Sequence, residues 1–209
     1  MKKMTAHPDG STDIAGLATA KTLPGLFRAR VARSPDSIAY REWNGASGRW
    51  CDFSWRDMAR LTARYQAALA NAGLGNGDRV AVQIPNGIDW VAFDIAAMAA
   101  GLITVPLYAY DSVANTAHIL ANSGARLILV ATWERWAALA ALRKQFSAVK
   151  HVWVRETDAA SSFAFPGPPA VASLADALPT IADAPREPEL DPQANATLIY
   201  TSGTTGLPK

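Results

Sequence analysis

The stretch Thr201-Ser202-Gly203-Thr204-Thr205-Gly206-Leu207-Pro208-Lys209 gathers four hydroxyls, two glycines and a lysine into nine residues. Glycine admits positive φ and close approach, so the N–H groups of such a loop can converge on one point. Hydroxyls add short donors for anionic oxygens, and lysine adds a mobile positive charge. Together they read as a cradle for phosphate. The pattern is not the Gly-x-x-x-x-Gly-Lys-Ser/Thr loop. Gly203 and Lys209 keep its separation, but Gly206 comes too early and Pro208 stands before the lysine. Proline there removes a backbone donor and suppresses a following helix, so the anion is expected in a flexible loop rather than on a helix N-terminus.

Other reactive residue types carry less. Cys51, the single cysteine, lies among strand-like residues with no catalytic partner nearby, and reads as a packed or surface thiol. His7 and His151 are expected to be solvated, and His118, on a helix with Asn115 and Asn122, to be structural. No His, Cys and Asp spacing suggests a metal site. Trp133 and Trp136 read as core, and Arg64, Arg143 and Lys144 as solvated charges.

The loop needs a scaffold, and the upstream pattern supplies one. Thr22 with Pro24 opens a helix to about Arg33. Ile38–Trp43 and Trp50–Phe53 flank Asn44-Gly45-Ala46-Ser47-Gly48 as a hairpin. Ser54 and Asp57 resemble a capping box before a helix that Gly73 closes. Strand and helix then alternate: a strand from Arg79, a helix to about Ala100, a strand at Ile103–Val105, a helix over Ser112–Ser123, an apolar run at Arg126–Ala131, a helix over Trp133–Phe146 and a strand at Val149–Val154. That order predicts an α/β fold, a mostly parallel sheet with helices on both faces. Ligands of such sheets gather beyond the carboxyl ends of the strands. The Pro- and Ala-rich region Thr157–Gln193 reads as a surface connection that leaves the sheet, with a helical turn at Ser173–Leu178. Ala196–Tyr200 reads as a strand that delivers the loop, and residues 1–21 as a loose tail before a domain at 22–209.

Composition narrows the class. Half of the 209 residues are hydrophobic and 18% charged, which excludes a disordered chain. A net charge of +2 without a basic stripe argues against nucleic acid. One cysteine fits a reducing compartment, and the polar start carries no secretory signal. Trp90–Tyr110 imitates a membrane span, but Asp94 would sit in hydrocarbon and Gly101 falls where a helix stops. The expectation is a cytoplasmic protein without a transmembrane segment, with peripheral membrane contact left open.

The segment Tyr200-Thr201-Ser202-Gly203-Thr204-Thr205-Gly206-Leu207-Pro208-Lys209 resembles the signature of the adenylate-forming, AMP-binding enzymes, which include acyl-CoA synthetases, adenylation domains of peptide synthetases and luciferases. The resemblance extends upstream through Gly77-Asp78-Arg79-Val80-Ala81-Val82, Pro85-Asn86, Trp90, Ala100-Gly101, Val105-Pro106-Leu107, Ile119-Leu120 and Ser123-Gly124-Ala125. Tyr108 stands where amino-acid-activating members usually place aspartate, which points towards the long-chain fatty acyl-CoA synthetases.

The resemblance implies that a carboxylate attacks the α-phosphorus of ATP with Mg²⁺ assistance, giving an acyl-adenylate and pyrophosphate, and that coenzyme A then accepts the acyl group. It implies that Thr201, Ser202, Gly203, Thr204, Thr205 and Gly206 hold the β- and γ-phosphates and that Lys209 screens the departing charge. None of these is a general base or nucleophile, so the chain is expected to carry no catalytic residue and no metal ligand. The family's later adenine, Mg²⁺, ribose and carboxyl-terminal lysine segments have no counterpart here, which leads us to expect the amino-terminal part of an enzyme, cut within the loop motif and inactive alone. The alternatives are a non-catalytic module that binds nucleotide or a partner, and a defunct fragment. A chain cut here is also expected to oligomerise or aggregate.

Overall fold

The structure is a computed structural model and describes residues 20–156, 167–182, 189–201 and 208. The expected tail up to residue 19 lies outside them.

Helix α1 (Leu23–Arg33) starts at Thr22, whose hydroxyl accepts the Gly25 N–H at 3.1 Å. Strands β1 (Ile38–Asn44) and β2 (Arg49–Ser54) form the expected antiparallel hairpin. Ser54 caps α2 (Trp55–Asn71): its hydroxyl accepts the Asp57 N–H at 3.1 Å, and Asp57 Oδ2 accepts the Ser54 N–H at 3.0 Å. The hydrogen bonds from Ser54 also hold the Asp57 carboxyl below its ordinary pKa.

Strand β3 (Arg79–Gln83), helix α3 (Ile88–Ala99), strand β4 (Ile103–Pro106), helix α4 (Val113–Ser123), strand β5 (Leu127–Val130), helix α5 (Trp133–Ala140) and strand β6 (His151–Val154) follow in the anticipated alternation. Trp90–Tyr110 is thus a helix and a strand, broken at Gly101, whose φ of 74° favours glycine. No helix among the described residues is long and apolar enough to cross a membrane.

All pairings of the main sheet are parallel, in the order β4-β3-β5-β6-β7, with β7 at Ala170–Ser173. Successive strand residues point to opposite faces, so each strand feeds two cores. Val80, Val82, Leu127, Leu129 and Trp153 pack under α1, α2 and α3 with Tyr65, Leu69 and Phe93. Ala81, Ile128, Val130, Val152 and Val154 pack under α4 and α5 with Leu120 and Trp136. Covered on both faces, the strands can be nearly all apolar, as the sequence is. Trp133 (4% exposed) and Trp136 (0%) are core, as expected.

Three expectations need correction. The region read as leaving the sheet contributes its edge: β7 pairs with β6 from His151–Ala170 to Val154–Ser173, and α6 (Leu174–Ala177) supplies the expected helical turn. Four short, half-exposed residues among prolines give too little apolar alternation to announce an edge strand. The helix expected over Trp133–Phe146 stops at Ala140 and resumes as a 3₁₀ turn at Arg143–Phe146. That tighter turn buries Phe146, 2% exposed, against the second core. Finally, the segment expected as a strand at Ala196–Tyr200 makes a single parallel bridge, Thr197 to Thr104.

Candidate phosphate-binding site

The sheet places the residues that lead into the loop. Thr104 of β4 donates its N–H to the Ala196 carbonyl at 3.0 Å, and the Leu198 N–H donates to the Thr104 carbonyl at 2.9 Å. The Thr197 hydroxyl donates to the same carbonyl at 3.0 Å. Because this bridge is parallel, the chain runs past β4 towards the carboxyl ends of the strands, and Thr201 emerges there, exposed. Thr201 alone of the anticipated phosphate ligands is described; Ser202, Gly203, Thr204, Thr205, Gly206 and Lys209 lie outside the described residues.

Behind Thr201, Leu198 and Tyr200 pack against the core under α4. The Tyr200 hydroxyl donates to Asn122 Oδ1 at 2.5 Å, and burial raises its pKa, so it stays a donor at neutral pH. At the far end of the loop, His118 Nε2 lies 3.2 Å from the Pro208 carbonyl. A carbonyl only accepts, so His118 carries its proton on Nε2. His118 thus keeps the structural character expected of it and gains a definite partner.

The winding of the sheet reverses between β3 and β5, since the chain steps out to β4 and returns across β3. Ligand crevices form at the carboxyl side of such reversals. Here that position is filled by a polar network that sequence reasoning missed. Gln83 Nε2, at the end of β3, donates to the Tyr108 carbonyl at 3.0 Å and to Thr116 Oγ1 of α4 at 2.9 Å. Arg135 of α5 donates through Nε to Gln83 Oε1 at 2.9 Å and through Nη2 to Thr116 Oγ1 at 2.8 Å. Gln83 and Thr116 are fully buried, and burial pulls the Arg135 pKa down from its usual value while Asp111 opposes that shift. The one readable signal was a glutamine directly after the apolar run Val80–Val82.

Two hollows open elsewhere. One of about 600 Å³ lies at the amino ends of β3 and β4, lined by Thr22, Leu26, Asn76, Leu102 and Pro192, at the opposite end of the strands from Thr201. The other, about 830 Å³, lies between the hairpin and Pro85-Asn86-Gly87, with Trp43, Trp50 and Arg155 on its walls. The remaining candidates are structural. Cys51 is half-buried in β2. Arg64, expected to be solvated, donates instead to the Pro179 carbonyl at 2.7 Å. His151, also expected to be solvated, is half-buried, and burial together with the Arg126 charge lowers its pKa. Among the described residues no three His, Cys, Asp or Glu side chains stand together to hold a metal.

Comparison with known proteins agrees with this architecture. A family model described as AMP-binding enzyme matches residues 27–209. The long-chain-fatty-acid–CoA ligase FadD15 of Mycobacterium bovis is 30% identical over 181 residues, which cover 84% of this chain and 28% of the ligase. Sulfoacetate–CoA ligase of Cupriavidus necator is 33% identical over 189 residues, covering 90% of this chain and 34% of that enzyme. Among solved structures, the inhibitor-bound N-terminal domain of FACL13 from Mycobacterium tuberculosis superimposes with a TM-score of 0.70 at 25% identity, covering 90% of this chain and 43% of that one. The chain spans about a third of the length of these curated relatives. A parallel sheet wound in this order, a chain that reaches its carboxyl side at Thr201, and a family match running from within α1 to residue 209 lead to one conclusion: the chain belongs to the AMP-binding enzyme family.

Proposed function

We propose that the protein carrying this chain activates a carboxylic acid with ATP, forming an acyl-adenylate and pyrophosphate, and passes the acyl group to coenzyme A. The observation that supports this most directly is the delivery of Thr201, the first residue of the hydroxyl- and glycine-rich stretch, to the carboxyl side of the sheet by the Thr104–Thr197 bridge. In this reading Thr201, Ser202, Gly203, Thr204, Thr205 and Gly206 donate to the β- and γ-phosphate oxygens, and Lys209 neutralises charge as the P–O bond to the leaving pyrophosphate breaks. The reaction joins an anion to a polyanion, so oriented donors at the leaving group lower the barrier by electrostatic stabilisation. Mg²⁺, when bound, supplies further charge neutralisation on the phosphates. The residues of this chain bind and orient; none of them moves a proton.

A long-chain fatty acid is the proposed substrate. Tyr108, 78% exposed at the carboxyl side of β4, supports it, as does the similarity to FadD15. The similarity to a sulfoacetate ligase marks the alternative of a small acid. ATP–pyrophosphate exchange by the protein carrying this chain, offered palmitate or sulfoacetate, tests both levels. Exchange with palmitate alone is expected; exchange with sulfoacetate alone would overturn the substrate, and none with any carboxylic acid the activity.

A further inference from the structure

Glycine follows asparagine at three places, Asn44–Gly45, Asn76–Gly77 and Asn86–Gly87, and all three asparagines are exposed. Glycine has no side chain to shield its amide nitrogen, so at such a pair that nitrogen can reach the asparagine side-chain carbonyl. Exposure does not distinguish the three pairs; their hydrogen bonds do.

Asn76–Gly77 is locked. The Gly77 N–H donates to the Gly101 carbonyl at 2.8 Å, so the nitrogen that would attack is engaged. Asn76 Oδ1 packs against Gly101, 2.7 Å from where a Cβ would stand there. Asp78 closes the same turn, its carboxylate accepting the Gly75 N–H at 3.0 Å. Asn44 is tied as well: its Oδ1 accepts the Ser47 N–H at 2.9 Å, and its backbone lies in the hairpin ladder opposite Arg49. Asn86–Gly87 has neither kind of restraint. It forms the turn between β3 and α3, and among the described residues no hydrogen bond holds the Asn86 side chain or the Gly87 N–H.

We propose that Asn86 is a site of spontaneous deamidation, selected by the fold over the other two pairs, and that its conversion loosens the hairpin's hold on α3. The Gly87 nitrogen attacks Cγ of Asn86. The N–Cγ bond forms, the Cγ–Nδ2 bond breaks, and the amide proton leaves with Nδ2 as ammonia. Water then opens the cyclic imide. Addition at Cγ gives aspartate; addition at the main-chain carbonyl gives isoaspartate, whose backbone runs through the former side chain and is one carbon longer. Nothing is oxidised or reduced.

The consequence follows from what caps α3. Gly87 has no side chain for the task, and Glu42 of β1 supplies it, its Oε1 accepting the Ile88 N–H at 3.1 Å. The same oxygen stands so close to Gly87 that a Cβ there would collide with it. A backbone lengthened at residue 86 shifts Gly87 within that contact. The new carboxylate also joins Glu42 and Asp89 around the first turn of α3, and like charges repel.

Peptide mapping by mass spectrometry, on the folded protein carrying this chain during prolonged incubation at mildly alkaline pH, tests the selection. Asn86 is expected to convert at least about tenfold faster than Asn44 and Asn76, whose hydrogen bonds must first open. In urea, where all three pairs are free, the rates should converge. An unchanged Asn86, equal rates in the folded protein, or rates that stay apart in urea would overturn a site selected by the fold. Amide exchange over Ile38–Ser54 tests the consequence. In the converted protein it should quicken about tenfold, the effect of one weakened cap. Asn86→Gln, which closes the corresponding ring far more slowly, should keep the hairpin protected over the same incubation. Equal hairpin protection before and after conversion, or equal loss in Asn86→Gln, would overturn the loosening.

Discussion

Asp94 shows how one residue reports on its surroundings. It stood out in sequence as the one charge in an apolar stretch, and it sits in α3 with its carboxyl partly withdrawn from water. Burial raises its pKa above the ordinary 3.8, more than neighbouring Thr104 lowers it. The folded protein therefore holds this proton more tightly than the unfolded chain does. Stability from this group is complete below pH 3.8 and declines as pH rises through the raised folded value, after which the loss is constant. Asp94→Asn is expected to raise the melting temperature at pH 7 and to flatten the decline between about pH 4 and pH 7. Thermal scans of both proteins across that range check it; an asparagine variant less stable at pH 7 would show that the ionised carboxylate is needed.

At the scale of elements, the account turns on how β3, α4 and α5 are tied together. Arg135 satisfies the carbonyl of buried Gln83 and the hydroxyl of buried Thr116, so three elements share one guanidinium. Arg135→Met would leave Gln83 Oε1 unpaired in an apolar crevice, an expected loss of about 1–3 kcal/mol in urea unfolding. Arg135→Lys should recover only part of it, because an ammonium cannot reproduce the fork of donors. A midpoint unchanged in Arg135→Met would remove the network from the account. The Thr22 cap, the Ser54–Asp57 box, the hairpin and the β-α alternation were all legible in sequence, because each is announced by neighbouring residues. The Gln83–Thr116–Arg135 network was not, since its members come together only when the sheet is wound. β7 was hidden for a related reason: its partner, β6, lies beyond a Pro-rich stretch, and Val171 alone of its residues packs against the second core.

At the scale of the whole molecule, the sheet has two edges, β7 and the side of β4 that carries only the Thr197 bridge. Beside the second edge, Tyr108, Tyr110 and Ile199 are 78%, 93% and 69% exposed. Uncovered strand edges and apolar side chains promote pairing between copies, so the 209-residue chain expressed alone is expected to self-associate. Light scattering during size-exclusion chromatography checks this, and a monodisperse monomer would contradict it. The proposed phosphate ligands rest on a chemical reading of the sequence: hydroxyls, glycines and a lysine in an order suited to an anion. The bonds of Tyr200 to Asn122 and of His118 to Pro208, which flank that stretch, emerged only from the fold. Calorimetric titration of MgATP into the protein, wild type against Thr204→Val with Thr205→Val, tests the central claim most directly. The account predicts that wild type binds and that the valine pair, similar in shape but without hydroxyl donors, binds at least about tenfold more weakly. Equal binding by the two would contradict it.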